Sequence, residues 1–201
     1  MAYDFKKEQR TLYRPGEQLV VVDVPAMTFL TVRGHGDPNQ PGSEYQQSIQ
    51  LLYGLAYTIK MSKKGPVQPA GYFDFVVPPL EGFWWQEGIN GMDYEQKEKL
   101  AFISCLRVPA YVTPAVFDWA AKEATAKKGL DFSRGNLQVL TEGKRVQVLH
   151  RGRLMMSPRR SASSSSLSSK ITCSRTTLIS GTTMKSTFPT HGARRRKSSK
   201  R

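Results

Sequence analysis

The chain has 201 residues and a formal net charge of +14, and nearly all of that charge lies in its last quarter. Residues 1–150 carry 17 Lys or Arg and 16 Asp or Glu, whereas residues 151–201 carry 13 Lys or Arg, 13 Ser and no acidic residue. The near-neutral part gives no electrostatic reason to expect a nucleic acid or an anionic membrane as its partner. We therefore predict one folded domain over residues 1–150 and a basic, disordered Ser/Arg-rich tail over residues 151–201.

Signals for targeting, membrane insertion and metal binding are missing from the sequence. The first ten residues are charged and lack the apolar segment of a signal peptide, and no apolar run approaches the length that spans a bilayer. The two cysteines, Cys105 and Cys173, form neither a disulfide framework nor the spacing of metal ligands. We therefore expect a cytoplasmic protein without membrane association, metal or cofactor, in which Cys105 is a core thiol.

Two strands and a helix are predicted in the first third of the chain. Residues 18–33 contain two apolar, β-branched runs that Pro25 separates, and turn-forming residues follow at 34–38. Ser43 is a typical helix N-cap, and the apolar residues after it recur at helical spacing to about Met61.

The rest of the domain alternates strands with one more helix. The predicted elements, in chain order, are a strand at 71–77, a strand at 101–108, a helix at 113–129, and short strands at 137–140 and 146–150. The resulting order, ββ-α-β and then β-α-ββ, favours an α+β fold with an antiparallel sheet and two main helices. No segment after the last strand has a comparable β-strand pattern with which that strand could pair. This is typical of a domain that is incomplete at its C-terminus.

The densest chemical signal is PPLEGFWWQEG at residues 78–88, which we predict to be a loop because prolines and glycines punctuate it. In one interpretation Trp84 and Trp85 each cover an edge of the core, as large aromatic residues commonly do. In the other they form an aromatic wall with Glu87 at its rim. Such a wall suits flat, apolar or cationic small molecules.

Three segments resemble the stand-alone GyrI-like small-molecule-binding proteins. They are GLAYTIKMSKKG at 54–65, GYFDFVVPPLEGFWWQEG at 71–88 and VTPAVFDWAAKEATAKK at 112–128. The resemblance covers residues 1 to about 150. It implies a pseudo-duplicated β-α-β-β fold of the SHS2 type, with a ligand cleft between two halves of an antiparallel sheet. It also implies binding of hydrophobic, often aromatic or cationic compounds, and some members hydrolyse cyclopropane-bearing DNA-alkylating natural products.

The predicted ligand-binding residues combine this resemblance with the local pattern. Three aromatic side chains would form the walls, one carboxylate would form a polar rim, and two tyrosine hydroxyls would donate hydrogen bonds: Phe75, Trp84 and Trp85; Glu87; Tyr53 and Tyr57. The tyrosines also lie at helical spacing that suits core packing. No catalytic residue is identified.

The sequence departs from the family after residue 150. Family members continue with a string like GPFDDEP, a helix and a final strand like HHEIYLSDPR, whereas this chain is Ser/Arg-rich. The reading frame of the gene can be shifted so that each new codon consists of the last base of one codon and the first two bases of the next. In that frame, the codons of residues 152–158, 182–192 and 195–201 can encode the expected strings in family order. This pattern predicts that the tail from about residue 151 is translated out of frame. The family's cleft-facing Glu would then be missing, and we expect the chain to be poorly stable and inactive.

Three functions therefore remain open from the sequence. The first is binding or sequestration of hydrophobic small molecules, and the second is hydrolysis of an electrophilic ligand in the same cleft. The third takes the basic tail at face value as a nucleic-acid-binding extension, although Phe188 is its only aromatic residue for base stacking.

Overall fold

An antiparallel sheet of five strands organises the structure, a computed structural model that describes residues 1–65, 68–88, 93, 95–149 and 176–177. The helices and strands, in chain order, are α1 (Phe5–Glu8), α2 (Arg10–Tyr13), β1 (Val20–Val24), β2 (Met27–His35), α3 (Glu44–Met61), β3 (Glu81–Gln86), β4 (Leu100–Arg107), α4 (Pro114–Lys128), β5 (Gly135–Leu140), β6 (Gly143–Gln147) and β7 (Thr176–Thr177).

The main sheet has the strand order β5-β2-β4-β3-β7, and every neighbouring pair is antiparallel. Strands β1 and β6 pair with each other in a separate two-stranded ribbon. Strand β7 contributes two residues, which pair with Gly82 and Glu81 of β3. The predicted α+β class with an antiparallel sheet is confirmed.

Helices α3 and α4 cover one face of the main sheet, because alternate strand residues supply an apolar surface there. From β2 and β4 this surface takes Leu30, Val32, Phe102 and Leu106, all of which belong to the main core with the inner residues of α3. Each such side chain, when fully buried, contributes roughly 1.5–3 kcal/mol relative to exposure. The helices thus lie where the strand alternation requires them.

Helix boundaries follow from local chemistry. The Ser43 hydroxyl accepts a hydrogen bond from the N–H of Gln46 at the start of α3, and Thr113 caps α4 in the same way. Pro114 occupies the first turn of α4, where its missing N–H costs nothing, and Gly129 ends the helix in the left-handed conformation. Both main helices were therefore predictable from their caps.

The predicted strand at 71–77 is wrong. Over residues 71–80 the backbone forms only an isolated bridge between Phe75 and Tyr3, and the strand that follows α3 is β3, inside the segment predicted as a loop. Asp74 explains part of this, because its carboxylate binds Lys60 and Lys63 of the preceding turn and holds the segment against the end of α3. The predicted order of helices and strands is nevertheless correct, because β3 occupies the place in that order of the strand predicted at 71–77.

The short helices α1 and α2 were not predicted, and Arg107 of β4 holds them against the sheet. Its guanidinium lies 4.4 Å from the centre of the Phe5 ring and donates a hydrogen bond of 2.6 Å to the side chain of Gln9. The N-terminal segment is thereby fixed by a nearly buried cation.

None of the helices in the described part of the chain combines the length and the apolar character that crossing a membrane requires. Apart from Thr176 and Thr177, the tail from residue 150 lies outside the described residues. Its predicted disorder and its predicted frame change therefore stay predictions.

Candidate functional site

The face of the main sheet that α3 and α4 do not cover is called the open face here. The ribbon of β1 and β6 packs over part of it, where Val24 joins Met27, Phe29 and Cys105 in a second apolar cluster. Within the described residues, the positions of β3 and β4 furthest from this cluster are not covered by a helix. The open face is therefore divided into a covered end and an accessible end.

Aromatic and aliphatic side chains line the accessible end of the open face. Trp85 of β3 lies at this end and is partly buried. Phe83 of β3 and its cross-strand partner Ile103 of β4 are also partly buried, and they join Trp85 to the second apolar cluster, against which they pack. The guanidinium of Arg33, from β2, lies 5.3 Å from the centre of the Trp85 ring. This arrangement gives a shallow apolar floor with one cation above its indole.

Two buried carboxyl groups lie toward the covered end. Glu81 is opposite Cys105 in the register of β3 and β4, and it is almost fully buried. Glu142, in the connection between β5 and β6, is 7% exposed. Its charge is one cause of a raised pKa at the Cys105 thiol, burial being the larger cause, so the two groups are neighbours.

Burial gives Glu142 the protonation behaviour of an acid–base group. Desolvation raises the pKa of its carboxyl from 4.5 to about 7, while Arg145, whose Nε lies 3.8 Å from Oε2, opposes that rise. A carboxyl with such a pKa exchanges protons near neutral pH. Cys105, by contrast, is a fully buried thiol with a raised pKa, as predicted for a core residue, and is not nucleophilic.

The predicted aromatic wall is divided between the two faces of β3. Adjacent residues of a strand point to opposite sides, so Trp84 faces the helices while Trp85 faces the open side. The Trp84 ring packs 5.0 Å from Tyr45 and 5.1 Å from Phe102, measured between ring centres. Phe75 is also fully buried in the helix-side core. Trp84 therefore has the packing role that the first interpretation of the motif described, and Phe75, which was predicted as a wall of the site, is a core residue as well.

The other predicted site residues lie elsewhere again. Tyr53 and Tyr57 stack on each other along α3, with ring centres 6.3 Å apart, and Tyr57 is 48% exposed. Burial raises the pKa of the Tyr53 hydroxyl, with a smaller contribution from Tyr57. Glu87 is exposed just after β3. The structure does not bring the six predicted residues together in one cleft.

Sequence reasoning missed Arg33, Phe83, Ile103, Glu81 and Glu142. The signal for two of them is the alternation in EGFWWQ: once these residues form a strand, Glu81 and Phe83 share a face with the predicted residue Trp85. Nothing local marks Arg33 or Glu142, because their positions depend on the pairing of β2 with β4 and on the packing of the ribbon. In the described part of the chain, no three His, Cys, Asp or Glu side chains are close enough to hold a metal ion.

A second concavity lies on the helical side, between α4 and the segment before β5. It has a volume of about 640 Å³ and is lined by apolar and charged side chains, including Phe117, Lys122, Asp131 and Phe132. None of the six predicted ligand-binding residues lines it.

Three solved structures from Listeria innocua are similar to this chain over most of its length. A hydrolase encoded by lin2189 is 43% identical, over 83% of this chain and 80% of its own, with a TM-score of 0.77. A second hydrolase is 37% identical, over 91% of this chain and 96% of its own, with a TM-score of 0.79. An uncharacterized conserved protein is 37% identical, over 92% and 96%, with a TM-score of 0.77. No protein-family model matches the chain, and no curated protein matches it significantly.

Proposed function

We propose that this chain, which belongs to the same family as the three Listeria innocua proteins, binds flat, apolar small molecules at the accessible end of its open face. The observation that carries the proposal is the partly buried Trp85, next to Phe83 and Ile103 on a sheet surface without a covering helix among the described residues. Aromatic rings gain both area burial and stacking energy on such a surface. The GyrI-like character inferred from the sequence segments is part of this proposal.

Binding is tested with a planar dye and single substitutions. Rhodamine 6G or fluorescein is titrated with the full chain, and the anisotropy of the dye reports the complex. Trp85→Ala is expected to weaken binding, because it removes the ring on which the dye stacks, whereas Trp119→Phe on α4 serves as a control on the opposite side of the sheet. Equal affinity in the wild type and Trp85→Ala would contradict the proposal.

A second candidate function is hydrolysis of an electrophilic ligand at the same face. It is supported by the description of two of the three Listeria relatives as hydrolases and by the buried carboxyl of Glu142, whose pKa is about 7. Such a group can take a proton from an attacking water and return it to the departing atom of a ligand that extends from Trp85 toward the covered end of the open face. Mass spectrometry of a cyclopropane-bearing alkylating substrate would detect the addition of water. Loss of turnover in Glu142→Gln with unchanged dye binding supports hydrolysis, and full turnover in that variant removes Glu142 from the mechanism.

We also propose that the residues from about 151 onward are translated out of frame. The support is the recovery of three family strings, in order, from one alternative frame of the tail. Sequencing the gene around codon 151 in several isolates tests this, and an unchanged frame in all of them would refute it. The frame-restored protein is expected to unfold at a higher temperature than the 201-residue chain, because the regained helix and strand bury further apolar surface.

A further inference from the structure

Arg33 reaches across the open face to the strand that carries Trp85. Arg33 pairs with Ile103 in the register of β2 and β4, while Trp85 of β3 pairs with Ala101 of β4. The two residues are thus two strands apart and offset by two residues along the sheet, a separation of about 12 Å at the usual strand geometry. The long side chain of Arg33 spans that distance and places its guanidinium over the indole.

Ala101 lies at the middle of this crossing and explains how it is possible. It stands between His35 of β2 and Trp85 of β3, and its methyl group leaves a dip in a surface of larger side chains. Ala101 is nevertheless only 2% exposed. The surrounding side chains therefore cover Ala101, and the position between the Arg33 guanidinium and the Trp85 ring, which lie 5.3 Å apart, is called the slot here.

The Arg33 guanidinium is held weakly. Its side chain is exposed, and in the described part of the chain it forms no ion pair with a carboxylate. The nearby Arg134 binds the backbone carbonyl of Arg33 and the carboxylate of Glu44. An exposed cation–π contact changes an equilibrium by roughly two- to fivefold, so an entering ring can displace this guanidinium.

We infer that Arg33 determines which ligands enter the slot: it favours neutral or anionic planar rings and disfavours cationic ones. This inference rests on the proposed binding function. A ring that enters between the guanidinium and the indole stacks on both, since guanidinium groups stack on aromatic faces. An anionic group on the ligand pairs with the displaced Arg33, whereas a cationic ligand competes with it for the indole and is repelled.

Other charges on the open face do not cancel this preference. His35 is the other basic side chain that shares the row of Ala101 and Trp85, and Glu81 is the acidic residue of β3 on the same face. Glu81 lies four positions before Trp85, which is about 13 Å along β3. Glu81 is also almost fully buried, at the other end of the strand. Arg33 is therefore the charge in contact with the indole.

A matched pair of dyes tests the inference. Fluorescein and rhodamine 6G share a planar xanthene ring but carry opposite charge at neutral pH. Dissociation constants are measured by anisotropy for the wild type, Arg33→Ala, Arg33→Lys and Arg10→Ala, the last being a control for loss of one exposed positive charge on α2. Arg33→Ala is expected to bind fluorescein roughly two- to fivefold more weakly and rhodamine 6G more tightly by a similar factor. Arg33→Lys keeps the charge and is expected to keep part of the anion preference.

The outcomes separate the inference from the proposed function. If Trp85→Ala weakens both dyes but Arg33→Ala shifts neither, or shifts both in the same direction, Arg33 is not the determinant and the binding site stands. If Trp85→Ala weakens neither dye, the binding site itself is refuted, and the inference falls with it. Thermal unfolding by circular dichroism checks that each variant folds, and Arg33→Gln replaces Arg33→Ala if that variant does not.

Discussion

Replacing Glu142 by Gln is expected to remove a loss of stability between pH 4.5 and 7. The pKa of this buried carboxyl is raised from 4.5 to about 7, so the folded protein binds its proton more tightly than the unfolded chain does. The protonated Glu142 carboxyl therefore adds to the free energy of unfolding. This contribution is complete below pH 4.5 and is lost as the pH rises through about 7. Since one pH unit is worth about 1.4 kcal/mol, the wild type loses at most about 3 kcal/mol over this window.

The measurement is urea denaturation followed by tryptophan fluorescence, at pH 4.5, 6 and 8, for the wild type and Glu142→Gln. The amide side chain in Glu142→Gln cannot ionise, so the free energy of unfolding of this variant is expected to rise relative to that of the wild type as the pH rises. Exposed Glu87→Gln is the control for removal of one carboxylate. Arg145→Ala is expected to extend the window to higher pH, because Arg145 lowers the pKa of Glu142. Parallel stability curves for the wild type and Glu142→Gln would refute the role of burial.

Three further substitutions test the packing and charge of the core. Gly54→Ala is expected to destabilise by about 1–3 kcal/mol, since a Cβ there would lie 2.7 Å from the ring of Phe132. Ser48 donates to a backbone carbonyl and accepts from Ser104, so Ser48→Ala is expected to cost about 1–3 kcal/mol and the double Ser-to-Ala variant less than the sum of the singles. Asp74→Asn is expected to be less stable than the wild type at pH 5, and the difference is expected to shrink as the pH falls through about 2, because Lys63 and Lys60 lower the pKa of Asp74 to about 2.

A different result would contradict each of these predictions. Gly16→Ala, where a Cβ would meet no atom within 4 Å, is the control for Gly54, and equal effects at both glycines would contradict the clash. Additive costs at Ser48 and Ser104 would show that their hydroxyls do not interact. A stability difference for Asp74→Asn that is as large at pH 2 as at pH 5 would show that the lysines do not act through its charge.

The sequence was most informative where a local signal determines a structure. Ser43, Thr113 and Pro114 mark the starts of the two main helices, and the β-branched runs mark β1 and β2. The aromatic segment was harder to interpret, because its prolines and glycines suggest a loop while EGFWWQ forms a strand buried against β4. Placing residues 81–86 in a strand separates Trp84 from Trp85. Pairing between distant strands, which no local pattern contains, then decides that Arg33 and not Glu87 is the charged neighbour of Trp85.

The burial of Cys105 gives a way to time the opening of the ribbon formed by β1 and β6. A thiol reacts as its thiolate, and this one is fully enclosed between β4 and the ribbon residue Val24. Alkylation of Cys105 should therefore proceed only through states in which the ribbon has moved off the open face. Peptide mass spectrometry distinguishes this modification from that of Cys173. The labelling rate of Cys105, measured with and without a bound dye, would then report how far a ligand on the open face slows the opening of the ribbon.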